Sequence, residues 1–272
     1  MSRVAASRVN PKTIQPDIWI IDGRGATSRF TTDEMTDASA QWAPDGRSIF
    51  FRSTRMGMSN LYRKSSDGGA EDVIFDHRHS DHGHFGGAII ASDLTRDGRF
   101  ILYTRSILAS NGFDIWALPL NGSPKEMPQV QSAFNEMHGN VSPDGRWLAY
   151  TTNESGTFQV KVQSFPASGK DSLQWLVSTR GGTEPRWRGD GQELYYLDGD
   201  RQLVSVPVKP GVMFQPGVPK VLFPTKVPKN VSPYRSRYDV ASDGKRFLIL
   251  KQTIEPAPVL SVLVNWQTLT KK

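Results

Sequence analysis

The stretch Val141-Ser-Pro-Asp-Gly-Arg-Trp-Leu-Ala-Tyr150 places an Asp-Gly pair directly before a dense apolar run. Asp-Gly between two strand-like segments is a strong signal for a β-hairpin. Gly accepts the positive φ angle that other residues avoid, and the Asp side chain can accept a hydrogen bond from the backbone N–H two residues later. We therefore predict two antiparallel strands joined by a tight corner.

The same corner occurs five times along the chain of 272 residues, each time between two apolar segments. Its aspartates are Asp45, Asp97, Asp144, Asp190 and Asp243. Their spacing of 46–53 residues is typical of a repeat architecture with one supersecondary unit per repeat. Because the aspartates occupy equivalent turns, we interpret them as structural residues that each stabilise one hairpin, and not as a catalytic ring.

Two further strands are predicted in each repeat. One follows the corner hairpin and reads Asp17-Ile-Trp-Ile20 or Asp114-Ile-Trp-Ala117 in two of its copies. After a Gly-containing turn, a short fourth run such as Asp72-Val-Ile-Phe75 closes the unit. The runs after the corners do not alternate apolar and polar residues, which indicates strands covered on both faces. No segment shows a helical period with start and stop signals.

Up to four strands in each of six repeats predict an all-β chain with the fold of a six-bladed β-propeller built from four-stranded antiparallel blades. We expect one domain spanning 1–272, with the terminal blades incomplete because the chain starts within a blade and its last unit ends near Trp266. The predicted blade units are approximately 1–35, 36–80, 86–130, 136–180, 183–225 and 236–268. A partial product of a longer gene is a further hypothesis for this arrangement.

Composition narrows the classes of function. The net charge of +6 arises from scattered Lys and Arg, so we expect no nucleic-acid partner. The absence of Cys excludes disulfides, cysteine-type zinc sites and thiol catalysis. The sequence contains no hydrophobic run typical of a signal peptide or a transmembrane segment. The oligomeric state stays open.

The five corners and the Asp-Ile-Trp strands resemble the WD-repeat-like β-propeller family typified by TolB. The stretch from Phe134 to Trp187, with Asn153-Glu-Ser-Gly156 and Gly181-Gly182, is similar to the C-terminal propellers of bacterial membrane-bound Ser/Thr kinases and transcriptional regulators. The resemblance implies a periplasmic or extracytoplasmic setting and a protein or peptide partner. The chain carries no glycine-rich kinase loop and no His-Arg-Asp motif, so kinase activity is not implied.

A histidine-rich segment spans Asp76 to His84. Its imidazoles belong to His77, His79, His82 and His84. Imidazole and carboxylate groups ligate zinc, nickel and copper, so the segment is a candidate site for a divalent metal. Its spacing matches no standard motif, and a polar loop explains it equally well. Apart from this metal, we expect no cofactor.

Polar residues at strand ends form the candidate ligand face. These residues are Asp37, Arg55, Arg105, Asn135, Glu136, Arg180, Glu184 and Arg235. Polar loops on a rigid scaffold are common docking surfaces. The favoured function is a non-catalytic binding or sensing module for a protein, peptide or small ligand, with no catalytic residue. The alternative is a metal-dependent hydrolase or lactonase, for which Asn135, Glu136 and Glu184 are candidate calcium ligands.

Overall fold

A computed structural model describes residues 3–76, 78, 87–107, 112–122, 125–167, 173–228, 230–234, 236–251 and 260–264. This part of the chain contains 23 β-strands and no α-helix. By its internal contacts the chain divides into two compact units, Met1–Pro128 and Gln129–Lys272. Every strand falls within one of the six predicted blade units. No helix in the described residues has the length and apolar character needed to span a lipid bilayer.

The first unit begins with a three-stranded antiparallel sheet in the order β1-β2-β3, followed by four-stranded sheets in the orders β4-β5-β6-β7 and β11-β10-β9-β8. The strands are β1 (Val4–Val9), β2 (Pro16–Ile21), β3 (Thr27–Arg29), β4 (Asp37–Trp42), β5 (Ser48–Ser53), β6 (Asn60–Ser65), β7 (Glu71–Phe75), β8 (Ile89–Leu94), β9 (Phe100–Ile107), β10 (Gly112–Pro119) and β11 (Met127–Val130).

The second unit holds a four-stranded sheet in the order β12-β13-β14-β15, a five-stranded sheet and the three-stranded sheet β21-β22-β23. The strands are β12 (Glu136–Val141), β13 (Trp147–Thr152), β14 (Gln159–Ser164), β15 (Gln174–Leu176), β16 (Thr183–Trp187), β17 (Glu193–Leu197), β18 (Gln202–Lys209), β19 (Gln215–Pro216), β20 (Lys220–Pro224), β21 (Tyr238–Val240), β22 (Arg246–Leu250) and β23 (Leu260–Val264). In the five-stranded sheet, β18 pairs with both β19 and β20, so β19 is an addition to the predicted four-strand pattern.

The five Asp-Gly corners share one geometry. In every copy the Asp Oδ1 atom accepts the backbone N–H two residues later, at 2.9–3.2 Å. The following glycine has a φ angle between 68° and 74° in all five. Because L-residues with side chains rarely adopt this backbone conformation, the Gly is required by the turn. The predicted hydrogen bond is therefore present at each corner.

The strands that follow the corners form the cores. In the first unit, Phe51, Ile101 and Tyr103 are fully buried, and in the second unit Tyr195 and Tyr196 are buried to the same extent. Burial on both strand faces matches the absence of alternation in these runs. The exception is β22, in which Leu248 and Leu250 are half-buried.

The strands that precede the corners carry irregularities that the pattern does not predict. The pairing register shifts within β4, β12 and β16. At the same place, Ser39, His138 and Glu184 have φ angles of 57–58° although none is a glycine. Each lies three residues before the apolar residue that opens the corner. These bulges turn polar side chains into positions that a regular strand would not give them.

Candidate functional site

A groove of 460 Å³ lies in the first unit between the outer strand of the first sheet and the second sheet. Residues of β3 (Thr27–Arg29) line one side, and the turn between β6 and β7 (66–69) lines the other. Arg3 and Lys64 add two cationic groups to the lining. The volume is within the range typical of small-molecule and peptide sites, about 300–1,000 Å³.

Strand β3 is the edge of its sheet. It pairs with β2, through Trp19 opposite Arg29 and Ile21 opposite Thr27, and no second partner strand is described for it. All three of its residues are exposed. An edge strand of this kind presents unpaired backbone N–H and C=O groups, which an extended segment can complete by adding a strand.

The cationic groups of the groove are held in place by partners in the first unit. Arg3 donates a hydrogen bond to the Gly46 carbonyl at 3.0 Å, and its guanidinium lies 4.7 Å from the centre of the Trp42 ring. Arg29 forms an ion pair with the buried Asp17 at 2.9 Å. Fixed side chains lose less conformational entropy on binding a ligand.

Lys64 is the most buried cation of the groove. Its ammonium group donates to the Phe30 carbonyl and to the Glu71 carboxylate, each at 3.0 Å. Burial lowers the pKa of Lys64, and the nearby positive charge of Arg55 lowers it further. Within the described part of the chain, these two bonds leave one ammonium donor for a ligand.

Two residues of the predicted ligand face, Arg55 and Asp37, are linked to Lys64 through Glu71. Arg55 forms an ion pair with the same Glu71 and bonds both carboxylate oxygens of Asp37 at 3.1 Å. Its guanidinium also lies 4.7 Å from the centre of the Tyr62 ring. A continuous chain of charges therefore connects the groove, through Lys64 and Glu71, to the start of β4 at Asp37.

The other members of the predicted face are dispersed. Arg105 is buried against Glu126, and Glu136 accepts hydrogen bonds from Ser132 and Thr152. The backbone N–H of Asn135 donates a hydrogen bond to the side-chain oxygen of Asn153. Arg180 forms an exposed ion pair with Asp200.

Four of these residues are buried, whereas the prediction places them on an open face that a ligand can reach. Asp37, Arg105, Glu136 and Glu184 are all buried. A buried charge is costly unless it is paired and hydrogen-bonded, so these groups meet partners within the protein and not solvent. Direct ligand contact by Asn135 and Arg180 stays a prediction.

A second polar network, in the second unit, surrounds His138. Its Nε2 atom lies 2.9 Å from the Ser232 carbonyl, and its Nδ1 atom lies 3.2 Å from the Thr151 hydroxyl. That hydroxyl in turn accepts the backbone N–H of Glu184 at 3.1 Å. With Nε2–H donating and Nδ1 accepting, a neutral imidazole satisfies every bond. Burial lowers the pKa of His138, which favours this neutral form.

The sequence contains a signal for this network. His138 and Glu184 each stand three residues before the residue that opens a corner, Val141 and Trp187 respectively, so they occupy equivalent positions in two repeats. The groove has no such signal, because Arg3, Ser28 and Lys64 are far apart in the chain and meet only after the two sheets pack.

The candidate metal ligands His77, His79, His82 and His84 lie outside the described residues, as does Arg235. In the described part of the chain, Asp76 forms an ion pair with Arg78 at 2.6 Å. No group of three or more His, Cys, Asp or Glu residues with the geometry of a metal site is found among the described residues. The histidine site therefore stays a prediction.

Comparison with known proteins identifies the family. The model of the TolB beta propeller domain matches residues 2–175, which is more than half of the chain. The chain belongs to the TolB β-propeller domain family. The expected all-β propeller fold is thereby confirmed, and the described strands of both units agree with it.

Solved structures agree with this assignment to the TolB family. TolB from Acinetobacter baumannii superposes with a TM-score of 0.73 at 16% identity, over 97% of this chain and 61% of that one. A putative TolB from Agrobacterium tumefaciens gives 0.59 at 15% identity, over 84% and 74%. A puromycin-hydrolyzing peptidase from Mycobacterium tuberculosis gives 0.65 at 16% identity, over 98% and 43%. At these identities the likeness concerns the fold alone.

One curated relative also matches. An uncharacterized protein of Agrobacterium fabrum (strain C58) is 25% identical over 190 residues, which is 66% of this chain. The matched region covers 61% of that relative. The superposition on the Acinetobacter TolB likewise covers 61% of the TolB chain. This TolB-family chain therefore corresponds to part of the length of each of these two proteins.

Proposed function

We propose that this protein is a non-catalytic binding module that takes an extended protein or peptide segment in the groove of the first unit. The observation that carries the proposal is the exposed edge strand β3 (Thr27–Arg29) on one side of a groove of 460 Å³. A peptide that pairs with this edge gains main-chain hydrogen bonds, and the groove supplies contacts for its side chains.

The charges of the groove favour a peptide with acidic side chains opposite its cations. Arg3 and Lys64 are oriented by the Gly46 carbonyl and by Glu71, so each keeps its position when a ligand arrives. Asp22 and Asp67 also line the groove and disfavour a wholly acidic ligand. We therefore expect a mixed sequence with one or two acidic residues, in a periplasmic or extracytoplasmic setting as the resemblance implies.

A peptide array tests this function. Immobilised twelve-residue peptides of varied sequence are probed with purified protein, and the binders are measured again by fluorescence anisotropy. Ser28→Trp fills the groove from β3, whereas Ser155→Trp places the same bulk on an exposed turn of the second unit. We expect Ser28→Trp to weaken binding by about tenfold or more and the control to stay within about twofold of wild type. Equal effects of both variants, or an array without binders, would contradict the proposal.

The enzymatic alternative rests on the histidine-rich sequence from His77 to His84 and on the candidate calcium ligands Asn135, Glu136 and Glu184. Metal content of purified protein, measured by mass spectrometry beside a variant with Ala at His77, His79, His82 and His84, decides it. Stoichiometric metal that disappears in the variant would favour a metal-dependent hydrolase or lactonase. Absence of bound metal from the wild-type protein would remove the basis of that alternative.

A further inference from the structure

The hairpin of β18 and β19 exposes apolar side chains at its tip. Val212 is 88% exposed and Met213 is 53% exposed, while the next turn carries Val218 at 83%. A single exposed apolar residue on a protein surface is ordinary. Two consecutive exposed apolar residues on one turn, followed by a third on the next turn, indicate a site of interaction.

The tip is held by an aromatic anchor. Phe214, the residue after Met213, is buried, and its ring contacts Trp147, Trp175 and Trp187 at centroid distances of 5.8, 5.5 and 6.1 Å. Aromatic contacts of this kind fix a loop against the core. The chain therefore maintains Val212 and Met213 in their exposed position.

Backbone pairing fixes both ends of the hairpin. Lys209 pairs with Gln215, and the Gly217 N–H donates to the Pro207 carbonyl at 2.7 Å. A fixed apolar tip loses little conformational entropy when it enters an apolar phase.

All charged residues in the segment around the tip are cationic. From residue 201 to residue 238 the sequence contains no Asp and no Glu. It contains seven cationic residues, namely Arg201, Lys209, Lys220, Lys226, Lys229, Arg235 and Arg237. Of these, Lys209 and Lys220 are exposed and lie on the tip side of the sheet, whereas the exposed Lys226 follows Pro224, which pairs with Gln202 at the opposite end of β18. Glu193 lies opposite Pro207 in the pairing of β17 with β18. Its carboxylate already accepts hydrogen bonds from Arg188 and Ser205.

We propose that this hairpin docks on an anionic lipid surface, with Val212 and Met213 entering the interface and Lys209 and Lys220 facing the headgroups. Apolar insertion combined with cationic side chains is the pattern by which peripheral proteins bind anionic membranes. A second copy that docks through the same hairpin would bring the same positive charges and be repelled. A lipid surface also requires no shape complementarity to a tip of two side chains.

Vesicle flotation tests the proposal with vesicles of phosphatidylcholine alone and of phosphatidylcholine mixed with phosphatidylglycerol. We expect the wild-type protein to float with the anionic vesicles and about tenfold less with the neutral ones. Val212→Ser combined with Met213→Ser should reduce the bound fraction by about tenfold. Lys209→Gln combined with Lys220→Gln should weaken binding to anionic vesicles and leave the weak binding to neutral vesicles unchanged.

Ile14→Ser is the matched control, because Ile14 is a 78% exposed apolar residue in the first unit. It should float as wild type does. Tryptophan fluorescence of each variant reports whether the cluster around Phe214 is intact. Failure of the wild-type protein to float, or an equal loss in the Ile14 control, would overturn the proposal.

Self-association also bears on this surface. Concentration-dependent self-association that is abolished by the Val212 and Met213 substitutions would overturn the proposal by assigning the tip to a second copy. Since the groove variant Ser28→Trp lies in the other unit, failure of one proposal is distinguishable from failure of the other.

Discussion

The Glu184 carboxylate and Arg237 form a buried ion pair that joins β16 to the start of β21 in the second unit. One carboxylate oxygen accepts the Arg237 backbone N–H at 2.6 Å, and the other accepts the guanidinium. The guanidinium also donates to the Pro228 carbonyl and to the Thr183 hydroxyl, at 2.8 and 2.9 Å. Both charges thus have hydrogen-bonded partners inside the protein.

Loss of one member of this pair should destabilise the fold. Arg237→Met leaves the Glu184 carboxylate buried without its cation, which costs about 3–5 kcal/mol in comparable pairs. The double variant Glu184→Gln/Arg237→Met removes both charges and should recover part of this loss. Urea unfolding measures the three free energies, and a midpoint of Arg237→Met equal to that of wild type would refute the assignment.

Two corner glycines provide a matched test of backbone strain against crowding. Gly46 and Gly244 both have a φ angle of 68°. A Cβ atom on Gly46 would meet no atom within 4 Å, whereas on Gly244 it would lie 2.6 Å from Arg188 Cδ and 2.7 Å from the Tyr195 hydroxyl. Tyr195 cannot move readily because its ring packs against Phe247.

Gly46→Ala should therefore cost about 1–2 kcal/mol from the left-handed backbone alone. Gly244→Ala should cost about 1–3 kcal/mol more because of overpacking. Thermal or urea unfolding of both variants provides the comparison. Equal losses would show that the neighbours of Gly244 relax without cost.

His138 should make stability depend on pH in mildly acidic solution. Burial lowers its pKa below the ordinary value of 6.5, and the charge of Glu184 and the bond to Ser232 oppose this only in part. The unfolded chain therefore binds a proton near pH 6.5 while the folded chain stays neutral. It follows that the free energy of unfolding falls as the pH decreases from 6.5 to the folded pKa.

The difference in the free energy of unfolding between wild type and His138→Gln isolates the contribution of His138, because all other titrating groups are common to both proteins. Urea unfolding at several pH values between about 7 and 5 should show a steeper loss of stability for wild type than for the variant. Parallel curves would mean that His138 has the same pKa in the folded and unfolded chain.

The corners and most strands were predictable because each follows from local chemistry. Asp144 and Gly145 specify their turn from within a few residues, and the apolar runs after each corner indicate strands whatever their neighbours are. By contrast, β19 consists of Gln215 and Pro216, and no strand propensity marks it. Its position depends on Phe214 entering an aromatic cluster built from two sheets.

The candidate site could be predicted only in part. The sequence marks Asp37 and Arg55 as polar strand-end residues, and both belong to the charge network that is linked to the groove through Glu71. The burial of Asp37 and the partial burial of Arg55 were not predictable, since they depend on ion pairs between residues of different strands, including that of Arg55 with Glu71. The groove itself depends on sheet packing, which a repeat pattern does not specify.

Hydrogen–deuterium exchange is the most direct test of the central claim that an extended segment binds beside β3. Exchange is measured by mass spectrometry for the protein alone and with the tightest peptide from the array. The account predicts protection of Thr27–Arg29 and of the turn at 66–69, with little change at Glu136 and Glu184. Protection at the strand ends around Glu136 and Glu184, with β3 unchanged, would contradict it.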